Sequence, residues 1–245
     1  PSAATSRSAA PTHFVAFRLP DAQLHERIRS VQQQVLTRDP TLAGCEVPPA
    51  RTHLTAFVLH CAEAADEARA REALRSCALL LDAASPPPRL PISGLGNFGT
   101  RVLFVSVPPC EDLLRVSALV DDVAECFRRA GIDSMQHEAG GWSPHVTLLK
   151  VSRVRGFGGG RRGRRRRPPS IDVRKFADLD ADMGVHALSS IELCAMQGQG
   201  VDGFYRVEEG RANPDWALRG GTGVAHQMRD AHAQCTLAPQ HAKPL

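Results

Sequence analysis

One four-residue pattern occurs twice in this sequence, as His53-Leu54-Thr55-Ala56 and as His145-Val146-Thr147-Leu148. Both copies lie in runs of apolar and β-branched residues, which predict β-strands. Side chains two residues apart in a strand point to the same face, so each histidine shares a face with the threonine that follows it. Each strand therefore presents an imidazole and a hydroxyl on one face and apolar side chains on the other.

Composition alone does not account for the repetition. The chain contains 10 histidines, and random ordering of its residues would give roughly 0.07 copies of the full pattern. Two copies indicate two related halves of one fold and argue against a doubly wound parallel sheet. The alternative is that two half-buried histidines lie on unrelated strands.

Strands and helices alternate along the chain. The spacing of apolar and turn residues predicts the order β-α-β-α-β-β-α-β-loop-α-β-β. The predicted strands cover residues 13–19, 51–61, 90–93, 101–107, 145–151, 185–196 and 203–208. The predicted helices cover residues 21–38, 63–84, 111–130 and 171–183, and a glycine-rich turn is predicted at 94–99.

Length and composition predict one folded domain with unstructured ends. The chain has 245 residues, of which 42% are hydrophobic and 23% charged, as in globular proteins. We expect a disordered leader over residues 1–11, a folded domain over 12–209 and a disordered tail over 210–245. No apolar run reaches the ~18 residues of a membrane-spanning helix, so we expect no membrane partner.

The seven cysteines indicate a reducing compartment. Their number is odd and they form no C-x-x-C pair, which argues against a disulfide framework and against a zinc cluster. We expect an intracellular protein, cytoplasmic or nuclear. Organellar targeting stays open, because residues 1–11 are rich in serine and alanine and contain no acid.

The net charge of +4 is concentrated in one segment. Residues 153–167 contain eight arginines and no acidic residue, so the rest of the chain is net negative. We expect residues 153–169 to form a disordered insert within the folded domain, because like charges repel and nothing in the segment can form a core. Three roles are open for the insert: a solvated loop, electrostatic capture of RNA, and a nuclear-localisation signal.

Two histidines and two threonines suit the cleavage of a phosphodiester. One neutral imidazole takes the proton of the attacking hydroxyl or water, and the other, as imidazolium, protonates the leaving oxygen. Threonine hydroxyls can donate to the non-bridging phosphate oxygens. We therefore expect His53 and His145 to be catalytic and Thr55 and Thr147 to bind substrate, with the choice of base and acid left open.

This chemistry requires no metal and no other cofactor. The sequence contains no carboxylate cluster suited to magnesium and no group of three histidines suited to zinc.

The paired patterns resemble the signature of the two-histidine (2H, LigT-like) phosphoesterase superfamily. Further segments are similar to the central phosphoesterase domain of the A-kinase anchor protein seven type: GLGNFG (94–99) followed by RVLFVSV (101–107), SPHVTLLK (143–150), IELCAM (191–196) and GFY (203–205). The resemblance covers residues 12–209 and implies an α+β fold, in which two pseudo-symmetric lobes of mostly antiparallel sheet, flanked by helices, surround a central groove.

The resemblance also implies a partner and an activity. It implies binding of RNA, an oligonucleotide or a nucleoside monophosphate and, in that branch, cleavage of 2′,5′-linked oligoadenylate. We therefore expect a metal-independent phosphodiesterase. The first alternative is a non-catalytic AMP or CMP sensor, or an RNA-binding module, that uses the same groove. The second is a 2′,3′-cyclic phosphodiesterase or an enzyme that processes RNA 3′ ends.

Two features depart from the pattern of that branch. The arginine-glycine insert directly follows the second pattern strand. Residues 226–235 contain too few large apolar residues for an amphipathic helix, so binding of a kinase regulatory subunit is not carried over. We expect a monomer.

Three aromatic residues are further candidates for substrate binding. Phe98, in the glycine-rich segment, can stack on a base or can plug the core. Phe204 and Tyr205 open the last predicted strand, where one of them can face the groove while the other packs in the core. Lys150 lies five residues after His145, an odd offset that points it away from the groove in a regular strand.

Overall fold

The computed structural model describes residues 10–77, 80, 86–134, 142–151 and 169–212. The helices that it describes are α1 (Ala22–Arg38), α2 (Ala64–Ser76) and α3 (Glu111–Arg129). The strands are β1 (His13–Arg18), β2 (His53–Leu59), β3 (Arg89–Ile92), β4 (Leu95–Phe98), β5 (Val102–Ser106), β6 (His145–Lys150), β7 (Gly184–Ala187), β8 (Ser190–Ala195) and β9 (Val207–Ala212). Short 3-10 turns cover Pro40–Leu42, Pro49–Arg51 and Val173–Phe176.

Neighbouring strands are antiparallel in all three sheets. The first sheet has the strand order β2-β1-β8-β9, the second has the order β4-β5-β6, and β3 pairs with β7. The chain passes directly from β3 to β4. Ser93 N–H donates to the Ser106 carbonyl and Ser106 N–H donates to the Gly94 carbonyl, each at 2.9 Å, so both strands are tied to β5. The α+β fold with antiparallel sheets confirms the predicted fold class.

The two halves are built from the same unit, in which a helix joins two antiparallel neighbours. β1, α1 and β2 form the first unit, and β5, α3 and β6 form the second. Each helix contacts a strand of the other unit: α1 packs against β6, and α3 packs against β2. Phe127 of α3 meets Phe57 of β2 with ring centroids 5.2 Å apart. One continuous cluster of buried side chains therefore runs through both halves.

β2 and β6, the two pattern strands that carry the repeated histidine and threonine, each contain a β-bulge directly after the threonine. In β2 the extra residue is Ala56, directly after Thr55, and in β6 it is Leu148, directly after Thr147. A bulge sets two residues of one strand against one residue of its partner, so the alternation of faces shifts by one beyond it. Two consecutive buried residues follow each threonine, as this shift requires.

α1 begins at an N-cap and ends before a proline. The Asp21 carboxylate accepts a hydrogen bond from Leu24 N–H at 3.0 Å, which satisfies one of the donors that the first helical turn leaves unpaired. Leu24 and Ile28 belong to the buried face, and Gln32 lies on the same face with only 6% of its surface exposed. Pro40 follows the helix and cannot continue it.

The glycine-rich segment predicted as a turn contains strand β4 instead. Gly96 pairs with Phe104 of β5, and a Cβ atom at Gly96 would lie 2.5 Å from the Phe104 ring. Glycine in a strand often marks such a close approach. The glycines of this segment therefore serve the packing of an aromatic ring as well as the turn that follows.

Three other predicted elements are also wrong in part. The single strand predicted over 185–196 is divided into β7 and β8, which belong to different sheets. Residues 171–183, predicted as a helix, contain only a 3-10 turn, because aspartates there accept bonds from nearby backbone N–H groups, such as Asp182 N–H on Asp180. The last strand lies at Val207–Ala212, beyond the predicted 203–208, because a tight turn joins Gly200 N–H to the Phe204 carbonyl at 2.9 Å. This strand passes the predicted domain end at residue 209.

Several predicted segments lie outside the described residues. These are residues 1–9 of the leader, residues 152–168, which include nearly all of the arginine insert, and residues 213–245 of the tail. The end of the second predicted helix, beyond Ser76, also lies largely outside them.

The expectations of unpaired cysteines and of no membrane-spanning helix can be compared with the described residues. Six cysteines are described as free thiols, and four of them are buried. Burial raises the pKa of the Cys61 thiol to about 11, which keeps it protonated. Among the described helices, none combines the length and the apolar character that crossing a membrane demands.

Candidate functional site

The two histidine-threonine patterns lie on β2 and β6, and these strands contact each other. Trp142 stands three residues before His145 and donates from its indole Nε1 to the Thr55 carbonyl at 2.7 Å. The indole also packs against Phe17 of β1, with ring centroids 6.0 Å apart. The segment that leads into the second pattern is therefore anchored on the strand that carries the first.

The side chain of Gln32 in α1 forms hydrogen bonds to the backbone of the second pattern strand and of the neighbouring Val47. Its buried carboxamide donates through Nε2 to the Val47 carbonyl at 2.8 Å and to the Leu148 carbonyl at 2.9 Å. Val47 N–H also donates to Leu148 at 2.8 Å. Leu148 is the bulge residue, so these hydrogen bonds fix the point at which the alternation of β6 shifts.

His53 lies at the start of β2 among aromatic rings. Its Nδ1 lies 2.7 Å from the Arg51 carbonyl oxygen. The centroids of the Phe14 and Tyr205 rings are 5.1 and 5.5 Å from that of the imidazole, and Phe204 meets it edge-on at 6.1 Å. These rings set the plane of the imidazole, and the side chain stays half-buried.

His145 has a matching environment built from different residues. Its Nδ1 lies 3.0 Å from the Ser143 carbonyl oxygen, and the Phe98 and Phe104 rings lie 4.8 and 5.0 Å from the imidazole. Burial lowers the pKa of His145 below the ordinary 6.5, the Ser143 hydrogen bond opposes this effect, and the positive charge of Lys150 adds to the lowering. His145 is therefore held neutral near pH 7.

The backbone selects the same tautomer at both histidines. A carbonyl oxygen can only accept, so Nδ1 must carry the hydrogen in each ring. Nε2 is then the acceptor of the neutral ring and the second donor of the imidazolium. Thr55 and Thr147 are half-buried like the histidines they follow, so each strand offers one imidazole and one hydroxyl on the same face.

Comparison with known proteins now identifies the family. A family model described as "AKAP7 2'5' RNA ligase-like domain" matches residues 11–211. The chain belongs to this family. Human A-kinase anchor protein 7 isoform gamma is 22% identical over 201 residues, which cover 81% of this chain and 56% of that protein. The chain thus spans about half the length of this curated relative.

A solved structure shows the same fold. The crystal structure of Escherichia coli LigT complexed with 3'-AMP superposes with a TM-score of 0.50 at 19% identity, over 83% of this chain and 98% of LigT. The predicted membership of the 2H phosphoesterase superfamily, near the A-kinase anchor protein seven type, is therefore confirmed, and so is its α+β fold.

In this AKAP7-type domain the three aromatic candidates differ in exposure. Phe98 is 45% exposed and lies beside His145. Phe204 is fully buried, in a small cluster with Phe14, while Tyr205 is half-buried at the edge of that cluster. The question left open between Phe204 and Tyr205 is answered: Phe204 packs in the core and Tyr205 keeps an exposed part near His53.

Lys150 lies on the same face of β6 as His145, whereas the sequence predicted that it points away from the groove. The prediction from the odd offset between His145 and Lys150 assumed a regular strand. The bulge at Leu148 shifts the alternation of side chains by one residue, so Lys150 lies on the face of His145 and Thr147. Its side chain is exposed, and its charge acts on the pKa of His145. The candidate site therefore contains a cation that sequence reasoning missed.

Other residues of the site were also missed. Arg18 pairs with His53 across β1 and β2, and Phe104 faces Thr147 across β5 and β6. No signal in the sequence gives this strand pairing. Arg51 could have been considered, because it stands two residues before His53. Its guanidinium packs on the Tyr205 ring, with Cζ 4.8 Å from the ring centroid.

Metal ligands do not come together in the described part of this AKAP7-type domain. Among the residues that the structure describes, no three histidine, cysteine, aspartate or glutamate side chains form a group that could hold a metal ion.

Proposed function

We propose that this domain is a metal-independent phosphodiesterase that cleaves RNA or oligonucleotides, with 2′,5′-linked oligoadenylate as its substrate. One observation carries the proposal: both imidazoles have Nδ1 bound to a backbone carbonyl, at 2.7 Å for His53 and 3.0 Å for His145. Nε2 is therefore the atom through which each histidine exchanges a proton. Each histidine lies on a strand, with a threonine on the same face. Membership of a 2'5' RNA ligase-like family supports the choice of substrate.

We assign the base to His145 and the acid to His53. Burial lowers the pKa of His145, so its Nε2 is unprotonated near pH 7 and can take the proton of the attacking hydroxyl or water. As the new P–O bond forms, the bond to the leaving oxygen breaks and the His53 imidazolium gives that oxygen its proton. The hydroxyls of Thr55 and Thr147 donate to the non-bridging oxygens, on which negative charge builds up.

We assign two aromatic side chains to the bases that flank the scissile phosphate. Phe98 exposes much of its ring beside His145, and Tyr205 lies beside His53. Stacking on aromatic faces is tolerant of sequence, which suits a substrate held mainly by its phosphate. Phe204 packs against Tyr205 in a T-shaped contact, with ring centroids 5.5 Å apart.

One incubation tests the proposal. The protein is treated with EDTA and given 2′,5′-linked oligoadenylate, 3′,5′-linked oligoadenylate and a 2′,3′-cyclic nucleotide, and the products are separated by chromatography. We expect selective loss of the 2′,5′-linked substrate. Opening of the cyclic nucleotide alone would support the cyclic phosphodiesterase, and binding of AMP without any turnover would support the sensor. Activity that disappears in EDTA would contradict the metal-independent mechanism.

Replacement of either histidine tests the two roles. His53→Ala and His145→Ala should each lower kcat by about 10²–10⁴-fold, the usual contribution of a general acid or base. A substrate with a 4-nitrophenolate leaving group needs no proton on that group. It should therefore restore much of the rate to His53→Ala and little to His145→Ala.

The opposite pattern of rescue would reverse the assignment of base and acid. Near-normal activity of both variants on the ordinary substrate would refute the two-histidine mechanism. Circular dichroism and thermal unfolding of each variant check that the fold is retained.

A further inference from the structure

The two halves of the site differ in charge at positions that correspond. Across β1 and β2, the residue opposite His53 is Arg18. Across β5 and β6, the residue opposite His145 is Ser106. Residues opposite each other in an antiparallel pair share a face. The first histidine thus shares its face with an arginine at the position where the second histidine has a serine.

The residue two positions before each histidine repeats this difference. It is Arg51 before His53 and Ser143 before His145, and the backbone carbonyl of each bonds to Nδ1 of its histidine. The backbone role is therefore the same in both halves, while the side chains differ. The corresponding positions therefore carry two arginine side chains in the half that contains His53 and two serine side chains in the half that contains His145.

Both guanidinium groups lie on the aromatic cluster beside His53. Arg18 Cζ is 4.4 Å from the centroid of the Phe204 ring, and Arg51 Cζ is 4.8 Å from that of Tyr205. The two rings are themselves in contact, with centroids 5.5 Å apart. Stacking on an aromatic face leaves the in-plane N–H donors of arginine directed sideways, toward any anion that approaches the edge of the group.

Each guanidinium is held by one Nη2 hydrogen bond to a described residue. Arg18 Nη2 bonds to Asp202 at 2.5 Å, and the charge of Arg18 also acts on the half-buried Glu192 carboxylate. The Asp202 side chain is 46% exposed, so a phosphate can replace it on Arg18. Arg51 Nη2 donates to Gln199 at a long 3.3 Å, and this neutral, exposed partner can be replaced by a phosphate. Arg18 and Arg51 can therefore accept a further anion.

We propose that Arg18 and Arg51 form a second phosphate subsite on the His53 side, which binds the phosphate of the nucleotide adjacent to the scissile linkage. This inference rests on the proposed function, since it takes the first phosphate to lie between the two histidines. Arginine suits the task because its planar fork binds phosphate oxygens in pairs. The subsite makes the pseudo-symmetric groove directional and favours an oligonucleotide with two or more phosphates over a single linkage.

Binding measurements test the subsite without requiring turnover. The protein is titrated calorimetrically with 5′-AMP, with 3′-AMP and with adenosine 3′,5′-bisphosphate. We expect the bisphosphate to bind about tenfold more tightly than either monophosphate, as a charge-assisted arginine contact would give. In Arg18→Gln and Arg51→Gln this ratio should fall, and in the double variant it should approach one, because the loss falls mainly on the bisphosphate.

Two further variants separate the subsite from a structural role. Arg18→Lys keeps the charge and should retain part of the ratio. Arg29→Gln, on the exposed surface of α1 where it pairs with Glu26, should keep the full ratio. The proposal is overturned if the wild-type protein binds the bisphosphate no better than the monophosphates, if the ratio survives in the double variant, or if affinity for the monophosphates falls equally.

The titration separates the subsite from the proposed function. A preference for the bisphosphate without hydrolysis of any oligonucleotide would leave the subsite standing and would remove the phosphodiesterase. Hydrolysis without that preference would do the reverse. Absence of binding by all three nucleotides would overturn both.

Discussion

At the scale of single residues, the two histidines share a backbone arrangement and differ in the charge beside them. The carbonyls of Arg51 and Ser143 hold the hydrogen of the neutral rings at Nδ1, so both rings work through Nε2. Lys150 then acts on His145, because a nearby positive charge disfavours the imidazolium. The cation that the bulge returns to the face of the site therefore helps to keep the base unprotonated.

Removal of this charge should move one limb of the pH profile. In Lys150→Met the pKa of His145 should rise, because an opposing positive charge is lost. The acid limb of kcat/KM, which reports the deprotonation of the base in the free enzyme, should then shift to higher pH. The measurement is the initial rate at low substrate from pH 4.5 to 9. Lys150→Arg keeps the charge and should leave the limb in place, whereas a shift of the alkaline limb in Lys150→Met would contradict the assignment.

At the scale of elements, the sequence predicts the pattern strands but not their irregularity. Each histidine and its threonine are found by the two-residue alternation, which holds up to the threonine. Ala56 and Leu148 look like ordinary apolar strand residues, so nothing in the sequence marks them as the extra residues of a bulge. Lys150 lies beyond the bulge, and for that reason the simple alternation assigns it to the wrong face.

The rest of the site depends on contacts between elements distant in the chain. Arg18 reaches His53 only because β1 pairs with β2, and Phe104 reaches His145 only because β5 pairs with β6. The strand order also places Tyr205, on the loop between β8 and β9, beside His53. These pairings follow from the packing of the whole chain, which local patterns do not encode.

Gln32 gives a test of how α1 supports the second pattern strand. In Gln32→Leu the hydrogen bonds to the Val47 and Leu148 carbonyls are lost, and the Val47 carbonyl is left in a buried site without this donor. The free energy of unfolding should fall by about 1–3 kcal/mol, the usual cost of an unsatisfied buried polar group. Urea denaturation measures this change.

The same helix supplies a matched control. Gln33 is exposed on α1, so Gln33→Leu should change the free energy of unfolding by no more than about 0.5 kcal/mol. Equal stability of the two variants would mean that the buried carboxamide does not hold the bulge.

At the scale of the whole molecule, the halves share one core, and charged residues tie the outer helix to the edge of the first sheet. Arg71 and Arg75 of α2 pair with Glu208 and Glu209 of β9, each at 2.6 Å. These pairs are partly shielded from solvent, since the Glu208 side chain is 9% exposed. A titratable group buried beneath them makes stability depend on pH.

His13 is that group, and it should make the fold less stable as the pH falls. The residue is 4% exposed, and burial lowers the pKa of its imidazole below the ordinary 6.5, although Glu67 and Glu208 oppose the shift. Between the lowered value and 6.5 the unfolded chain binds more protons than the folded one, so the free energy of unfolding decreases as pH falls through this window. Urea denaturation at intervals from pH 7.5 to 5.5 should show this decline, and His13→Gln should make it shallower, while the part due to the lowered pKa of His145 stays. The comparison uses the slope with pH, so a constant cost of the substitution does not matter, and an unchanged slope in His13→Gln would show that His13 is not the source.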